Sequence, residues 1–343
     1  MSQEKKPVVA FLGPQGSYTH QATLDAFSHS NYSISPQVTI EDVFAAVQNG
    51  DAFRGVVPFE NSSNGSVVFT LDLFADLHGK YSDILVCGES YVAVKHCLLG
   101  YAHSTEQNLT NRAAAPSHPD NASAKSMARP LSDLSNVKRL YSHPQAWGQC
   151  KAFLNTYVKH AERHDVSSTS KAAELVAQDK TGESAALSSI IAADMFGLDV
   201  LAKTINDRVE NTTRFLVIRR KDSSTPPGSI PPSPSISNTT AVAPNGGKQG
   251  NWKTLITFTV DHANPGALAH CLSAFEKFGL NLTSINTRPS GVENWNYVFF
   301  VELKGRKEDG EEDGKVNGAL KELEKVCRGY RWLGSWENRL IAT

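Results

Sequence analysis

The sequence predicts an α/β protein in two parts: alternating strands and helices over residues 7–220, then a compact domain over 252–343, joined by a linker at 221–251. Three observations carry that prediction. Short apolar runs ending in turn residues alternate with segments whose apolar residues recur at helical spacing. The stretch "RKDSSTPPGSIPPSPSISNTTAVAPNGGKQGN" (220–251) replaces large apolar residues with Pro, Gly, Ser and Thr, a composition that does not build a packed element. A length of 343 residues gives each part enough chain to bury its own core.

In order, "PVVAFLG" (7–13) is a buried strand closed by Gly-Pro. "TIEDVFAAVQNG" is a helix: Ile40, Val43, Phe44 and Val47 share a face, Thr39 and Asp42 form a capping box, and Gly50 follows the end. "RGVVPFE" (54–60) is a strand and "SVVFTLDLFADL" (66–77) an amphipathic helix. "ILVCGESYVAVKHCLLG" (84–100) is long for one strand and suits a crossing between two lobes. A polar insertion follows at 104–136, with room for a short helix. "KRLYSHPQAWGQCKAFLNTYV" gives strand, turn and one helix, with Pro144 in its first turn and Trp147, Cys150, Leu154 and Tyr157 on one face. "VSSTSKAAELVAQ" and "SAALSSIIAADMFGL" read as helices, the second stopped by Gly197, before the strands "DVLAKTI" and "TRFLVIRR". "KHAERH" (159–164) reads as a solvated helix end, since its His160 and His164 lack the glutamate placement of a zinc motif. After the linker, strand, helix, strand, strand, helix, strand give the ferredoxin-like order βαββαβ.

Charge excludes whole classes of partner. Lys and Arg total 34 against 35 Asp and Glu, so no long-range positive field holds a nucleic acid or an anionic membrane. Five scattered cysteines with no C-x-x-C pair fit reduced thiols in a cytoplasmic protein rather than a disulfide framework or zinc ribbon. No apolar run is long enough to span a bilayer. No metal or cofactor constellation stands out.

Polar clusters do recur at strand ends and helix starts, where ligands of open α/β sheets lie. "GPQGSYTH" (13–20), with Gly16 and Ser17, follows a strand and opens a helix, but lacks nucleotide signatures and is equally a plain turn. "VPFENSSNG" (57–65) sets Glu60, Asn61, Ser62 and Gly65 at a strand end, and a polar loop explains it as well. In "SHPQAWGQC" (142–150), Gln145 and Gln149 share a helix face, while Ser142 is either a ligand contact or a cap. "SSTS" (167–170), with Ser168 and Thr169, is a hydroxyl-rich helix start of the same double meaning. "NTTRF" (211–215) places Thr213, Arg214 and Phe215 at the mouth of a strand. Together they suit a pocket that binds a small anion through neutral donors.

These motifs, in this order, resemble the prephenate dehydratases that carry a C-terminal ACT regulatory domain. "GPQGSYTHQA", "VVPFENSSNGSV", "YSHPQAWGQC", "STSKAA", "AALSSIIAADMFGL" and "NTTRF" carry the first part, and "PGALA" with "NLTSINTRPS" the second. The resemblance implies a two-lobed catalytic domain like a periplasmic binding protein, with the substrate in its cleft. It implies a hydro-lyase that converts prephenate to phenylpyruvate, water and carbon dioxide without cofactor or metal, on the route to phenylalanine. Thr213 would hydrogen-bond the departing ring hydroxyl, since a full proton transfer from so weak an acid is the less plausible course. Arg214 would orient it or meet a substrate carboxylate, with a structural ion pair carrying equal weight. Glu60, Asn61, Ser142 and Gln149 complete the catalytic set, Glu60 in a positioning role. Gly16, Ser17, Ser62, Gly65, Gln145, Ser168, Thr169 and Phe215 are the substrate contacts.

In the second part, Pro265, Gly266, Ala267 and Leu268 match one phenylalanine-binding segment of the family. Asn286, Thr287, Arg288 and Pro289 stand where the family has Glu-Ser-Arg-Pro. Feedback inhibition by phenylalanine and a homodimer or homotetramer are the expectations. Strand signals begin at Val8, so a single activity is expected, without a chorismate mutase segment. Two other readings stay open: arogenate dehydratase, which performs the same elimination on an amino substrate, and a non-catalytic amino-acid sensor.

Overall fold

The computed structural model describes residues 6–102, 128–208, 210–222, 251–308 and 314–340. Most of the polar insertion and most of the linker lie outside these residues. Along the chain run β1 (Val8–Leu12), α1 (Tyr18–Ala26), β2 (Ser33–Gln37), α2 (Ile40–Gln48), β3 (Arg54–Asn61), β4 (Gly65–Ser66), α3 (Val68–Ala75) and β5 (Ile84–Ala93). Then come β6 (Cys97–Gly100), β7 (Arg139–Ser142), α4 (Pro144–Gln149), α5 (Lys151–Tyr157), β8 (Glu162–Asp165), α6 (Thr169–Gln178), β9 (Ser184–Ser188), α7 (Ile190–Phe196), β10 (Asp199–Ala202) and β11 (Thr212–Arg220). The C-terminal part holds β12 (Trp252–Thr259), α8 (Ala267–Lys277), β13 (Leu282–Pro289), β14 (Tyr297–Lys304), α9 (Lys315–Val326) and β15 (Gly329–Glu337), the predicted βαββαβ order.

The chain divides into two compact units. The first takes the residues up to Leu12, Ala22–Val92 and everything from Thr213 onward. Its first sheet has the order β2-β1-β3-β11-β5, with β4 added to β3. Strand β1 lies parallel to β2 and β3, whereas β11 returns antiparallel to β3. Helix α2 covers this sheet with Val43, Phe44 and Val47, and its capping box joins Thr39 and Asp42 reciprocally.

In the second sheet of this unit, β13-β14-β12-β15, strands β12, β14 and β15 bury apolar side chains on both faces. Side chains alternate along a strand, so Ile256, Phe299 and Val301 face α8 and α9, while Leu255, Phe300, Leu333 and Trp336 join Val57, Phe59, Leu71 and Val86 of the N-terminal part in one core. Gly334 makes this approach possible: a Cβ there would lie 2.1 Å from the Val86 carbonyl oxygen, and its φ of +132° already disfavours other residues. Arg331 adds hydrogen bonds from Nη2 to the carbonyls of Tyr81 and Ile84.

The other unit comprises Gly13–Gln21 and Ala93–Thr212, built on a sheet of order β10-β6-β9-β7-β8. Three expectations change here. The run 184–197 is a strand followed by a helix, because Ser184–Ser188 is wholly buried between β6 and β7. The single helix expected after Pro144 breaks at Cys150, where the Asp207 carboxylate caps α5 by accepting Lys151 N and Ala152 N at 2.9 and 3.0 Å. Residues 162–165 form the edge strand β8, with His164 stacked on Tyr141. The apolar run 84–100 is two strands, β5 and β6, in different sheets.

Candidate active site

Strand β11 begins with Thr212 and Thr213, and its pairing with β3 sets Thr213 opposite Asn61 and Arg214 opposite Glu60. Directly beyond, Phe215 pairs with Pro58, which leaves Phe59 as the extra residue of a β-bulge. Proline, having no N–H for the ladder, is tolerated at such a break. Asn61 Nδ2 donates to Thr213 Oγ1 at 2.9 Å. The Oδ1 of the same amide accepts the N–H groups of Ser63 and Asn64, both at 3.0 Å, which fixes the direction in which the amide points. A threonine hydroxyl has one proton to give, and its oxygen here already receives one. That proton has no acceptor among the described residues, so it is left for a ligand. Ser62 and Gly65 occupy the exposed turn beside Asn61, and Gly65 supplies the turn's φ of +79°.

The guanidinium of Arg214 turns to the protein interior. Its Nε donates to Glu89 Oε2 at 2.9 Å and its Nη2 bonds to Glu302, while Glu60 Oε2 stands 3.8 Å from Nη1. Lys253 Nζ completes the cluster, 3.3 Å from Glu89 and 3.4 Å from Glu302. Of the two roles open to Arg214, this geometry is the ion-paired one. Burial opposes its charge, yet Glu302 and Glu89 hold its pKa above the ordinary arginine value. Burial likewise works against the Glu302 carboxylate, and Arg214, Lys253 and a hydrogen bond from Thr283 bring its pKa below the ordinary one. Phe215 is corrected from a ligand contact to a packing residue: its side chain is 1% exposed.

The remaining predicted catalytic and substrate-contact residues belong to the other unit. Gly16 sits at φ +80°, where a Cβ would meet Ser170 Oγ at 2.9 Å, and its carbonyl accepts from Ser189 Oγ at 2.9 Å. Ser17 Oγ accepts the N–H of His20 at 3.2 Å, so the loop is tied into the first turn of α1. Ser168 is the N-cap of α6, accepting Lys171 N at 3.0 Å, and Thr169 is the helix's first residue. Ser142 is fully enclosed and gives its proton to Leu187 O at 3.0 Å. The N-cap of α4 is His143 rather than Ser142. Gln145 is exposed on α4, one turn from Gln149.

Gln149 is held by residues that the motifs did not single out. His96 Nε2 lies 2.8 Å from Gln149 Oε1 and His96 Nδ1 lies 3.2 Å from the Tyr18 hydroxyl. Because a carbonyl oxygen only accepts, Nε2 carries the proton and Tyr18 donates to Nδ1. Burial keeps this imidazole neutral by lowering its pKa, although the bond to Gln149 works the other way. Glu89, Lys253 and Glu302 were missed for a different reason. Each is a charged residue inside an apolar strand, and an inward charge in such a strand was the available signal.

In the C-terminal part, Gly266 is the N-cap of α8 at φ +85° without a capping side chain, and Pro265 beside it is exposed. Ala267 is buried and Leu268 partly so. Asn286, Thr287, Arg288 and Pro289 lie on the edge strand β13. Asn286 Oδ1 accepts from Ser66 Oγ at 2.6 Å, and Arg288 forms a fork on Asp72 at 2.5 and 3.0 Å. The described residues contain no group of three or more side chains suited to a metal ion, and no helix long and apolar enough to cross a membrane.

Comparison with known proteins agrees with this arrangement. The prephenate dehydratase family model matches residues 9–223. A bifunctional chorismate mutase/prephenate dehydratase of Aquifex aeolicus (strain VF5) is 35% identical over 341 residues, spanning 99% of this chain and 76% of its own. A probable prephenate dehydratase of Saccharomyces cerevisiae is 30% identical, with 87% of each chain covered. The crystal structure of prephenate dehydratase from Arthrobacter aurescens in complex with L-Phe superposes with a TM-score of 0.70 at 26% identity, covering 96% of this chain and 90% of that one. With the catalytic part matched end to end, the chain belongs to the prephenate dehydratase family.

Proposed function

We infer that this chain converts prephenate to phenylpyruvate, water and carbon dioxide, with Thr213 as the donor to the departing hydroxyl. The observation that carries the role of Thr213 is the bond from Asn61 into its oxygen. As the bond to the ring carboxylate breaks, its electron pair enters the ring, the ring becomes aromatic, and the hydroxyl on the opposite carbon leaves with the electrons of its own bond. Charge develops on that oxygen, and the released hydroxide takes a proton from solvent to become the product water. A hydroxyl whose oxygen already accepts a hydrogen bond is the better donor to it, and a preorganised donor is worth most where water is excluded. Aromatisation drives the step, so no electron sink is required.

Gly16, Ser17, Gln145, Gln149, Ser168 and Thr169 supply the neutral donors and backbone N–H groups that would bind substrate, Gln149 being held by the neutral Tyr18–His96 pair. The C-terminal βαββαβ part is read as an ACT-type regulatory unit for phenylalanine, in a homodimer or homotetramer. The left-handed Gly266 before the eleven-residue helix α8 supports that reading, since it leaves backbone N–H groups open to an amino-acid carboxylate. So does the A. aurescens complex, which contains L-Phe.

The test is phenylpyruvate formation from prephenate, with arogenate as the competing substrate and Thr213→Val as the shape-conserving control. Turnover of prephenate that falls about a hundredfold or more in the variant supports the assignment. Preference for arogenate, or full activity without the hydroxyl, overturns it.

A further inference from the structure

We propose that Glu302 and Lys253, both from the C-terminal sheet, are positioning residues for Thr213, acting through the buried guanidinium of Arg214. The inference rests on the catalytic role of Thr213 given above. Four charged groups form the cluster, two of each sign: Glu89 on β5, Arg214 on β11, Lys253 on β12 and Glu302 on β14. Glu89 is 0% exposed, Glu302 2%, Lys253 4% and Arg214 6%, so water does not compensate the loss of any one of them.

The catalytic part alone supplies one buried carboxylate, Glu89, and the half-exposed Glu60 at 3.8 Å. The C-terminal part supplies the rest. Thr283 Oγ1 on β13 donates to Glu302 Oε1 at 2.6 Å, Lys253 Nζ donates to Tyr91 Oη at 3.0 Å, and the backbone N–H of Arg339 donates to Glu89 Oε1 at 2.8 Å. Phe59, Tyr91 and Trp336 enclose the guanidinium. Arg214 follows Thr213 directly, and the strand pairing shifts register immediately after it. Where the ladder is interrupted, a side chain locked on both carboxylates takes over the placement of the strand end, and with it the oxygen that Asn61 meets. The regulatory part is then a component of the catalytic strand's mounting, which ties its packing to turnover.

Two variants of the full chain test this: Glu302→Gln, with Glu302→Asp as the conservative rescue, and Thr283→Val, which removes one donor to Glu302 without unpairing a buried charge. Each is assayed well below its own melting midpoint. For Glu302→Gln the expected result is a kcat about tenfold to a hundredfold lower with KM within about twofold, as small misplacement of a reacting group gives. Glu302→Asp should recover much of it, and Thr283→Val should show a smaller fall in kcat, again at constant KM. Folded variants with unchanged kcat, or with KM alone raised, overturn the proposal. A second readout does not depend on turnover: in chain labelled with 13C at threonine methyl groups, the Thr213 signal, assigned with Thr213→Ser, should shift in both variants. If the wild-type chain turns over no prephenate, the reaction assignment falls, and an unmoved Thr213 signal then overturns the positioning role separately.

Discussion

Replacing Asn61 by aspartate changes one donor group into an acceptor and leaves the shape of the side chain nearly intact. The oxygen that accepts from Ser63 and Asn64 survives, so the turn should hold. At neutral pH, however, a carboxylate oxygen 2.9 Å from Thr213 Oγ1 accepts the threonine proton instead of filling the oxygen's lone pair. A hydrogen bond to a charged acceptor is worth about 1.5–3 kcal/mol, enough to hold the proton there. The departing hydroxyl then loses its donor, a loss worth about 2.7–4 kcal/mol where comparable donors have been removed, or about 10²–10³ in kcat. Phenylpyruvate formation under saturating prephenate measures it. Activity should recover as pH falls toward the ordinary aspartate pKa of about 3.9, because the protonated acid again donates to the threonine. If Asn61→Asp stays within about threefold of wild type while Thr213→Val is inactive, the threonine proton is not oriented by Asn61 and that part of the mechanism is wrong.

Gly334→Ala should destabilise the fold by at least about 3 kcal/mol, read as a lowered denaturant midpoint, since the new methyl group meets the Val86 carbonyl at 2.1 Å on strained backbone. Glu302 gives the protein an acid-sensitive element. Its carboxyl has a folded pKa below the ordinary 4.5 that it regains on unfolding, so its stabilisation is full above 4.5 and is lost as pH falls through the lower folded value. The melting midpoint of wild type should therefore drop more steeply below pH 4.5 than that of Glu302→Gln. Asn286→Glu restores the carboxylate that the family carries at this place, and Ser66 Oγ, 2.6 Å away, is placed to donate to it. Calorimetry should show L-Phe binding strengthened about tenfold, an unchanged affinity meaning that this side chain does not contact the effector.

What could be read from the sequence followed from how local the cause was. The helix at Ile40–Gln48 was legible because its capping box and its apolar face are written within a dozen residues. The order βαββαβ was legible for the same reason. The break at Cys150 was not, since Asp207, more than fifty residues later in the chain, caps α5. Ser184–Ser188 read as helix because alanine and serine carry little strand preference, and burial between two neighbours decided the matter. In the candidate site, Thr213 and Asn61 were named from their motifs, yet the bond between them crosses two strands and appears only with the pairing register. Arg214 was left between two roles because both partners that fix it, Glu89 and Glu302, lie far away in sequence. Phe215 was misread since a motif does not say which of its side chains points inward.

Strands β12, β14 and β15 of the C-terminal sheet have no face to spare: one side lies under two helices and the other completes the core of the first sheet. What joins the two parts is therefore a surface as well as the peptide connection between residues 222 and 251. A chain cut within that connection should reassemble from its two pieces when they are produced together. A single bulky substitution on the shared face would be felt in both parts at once.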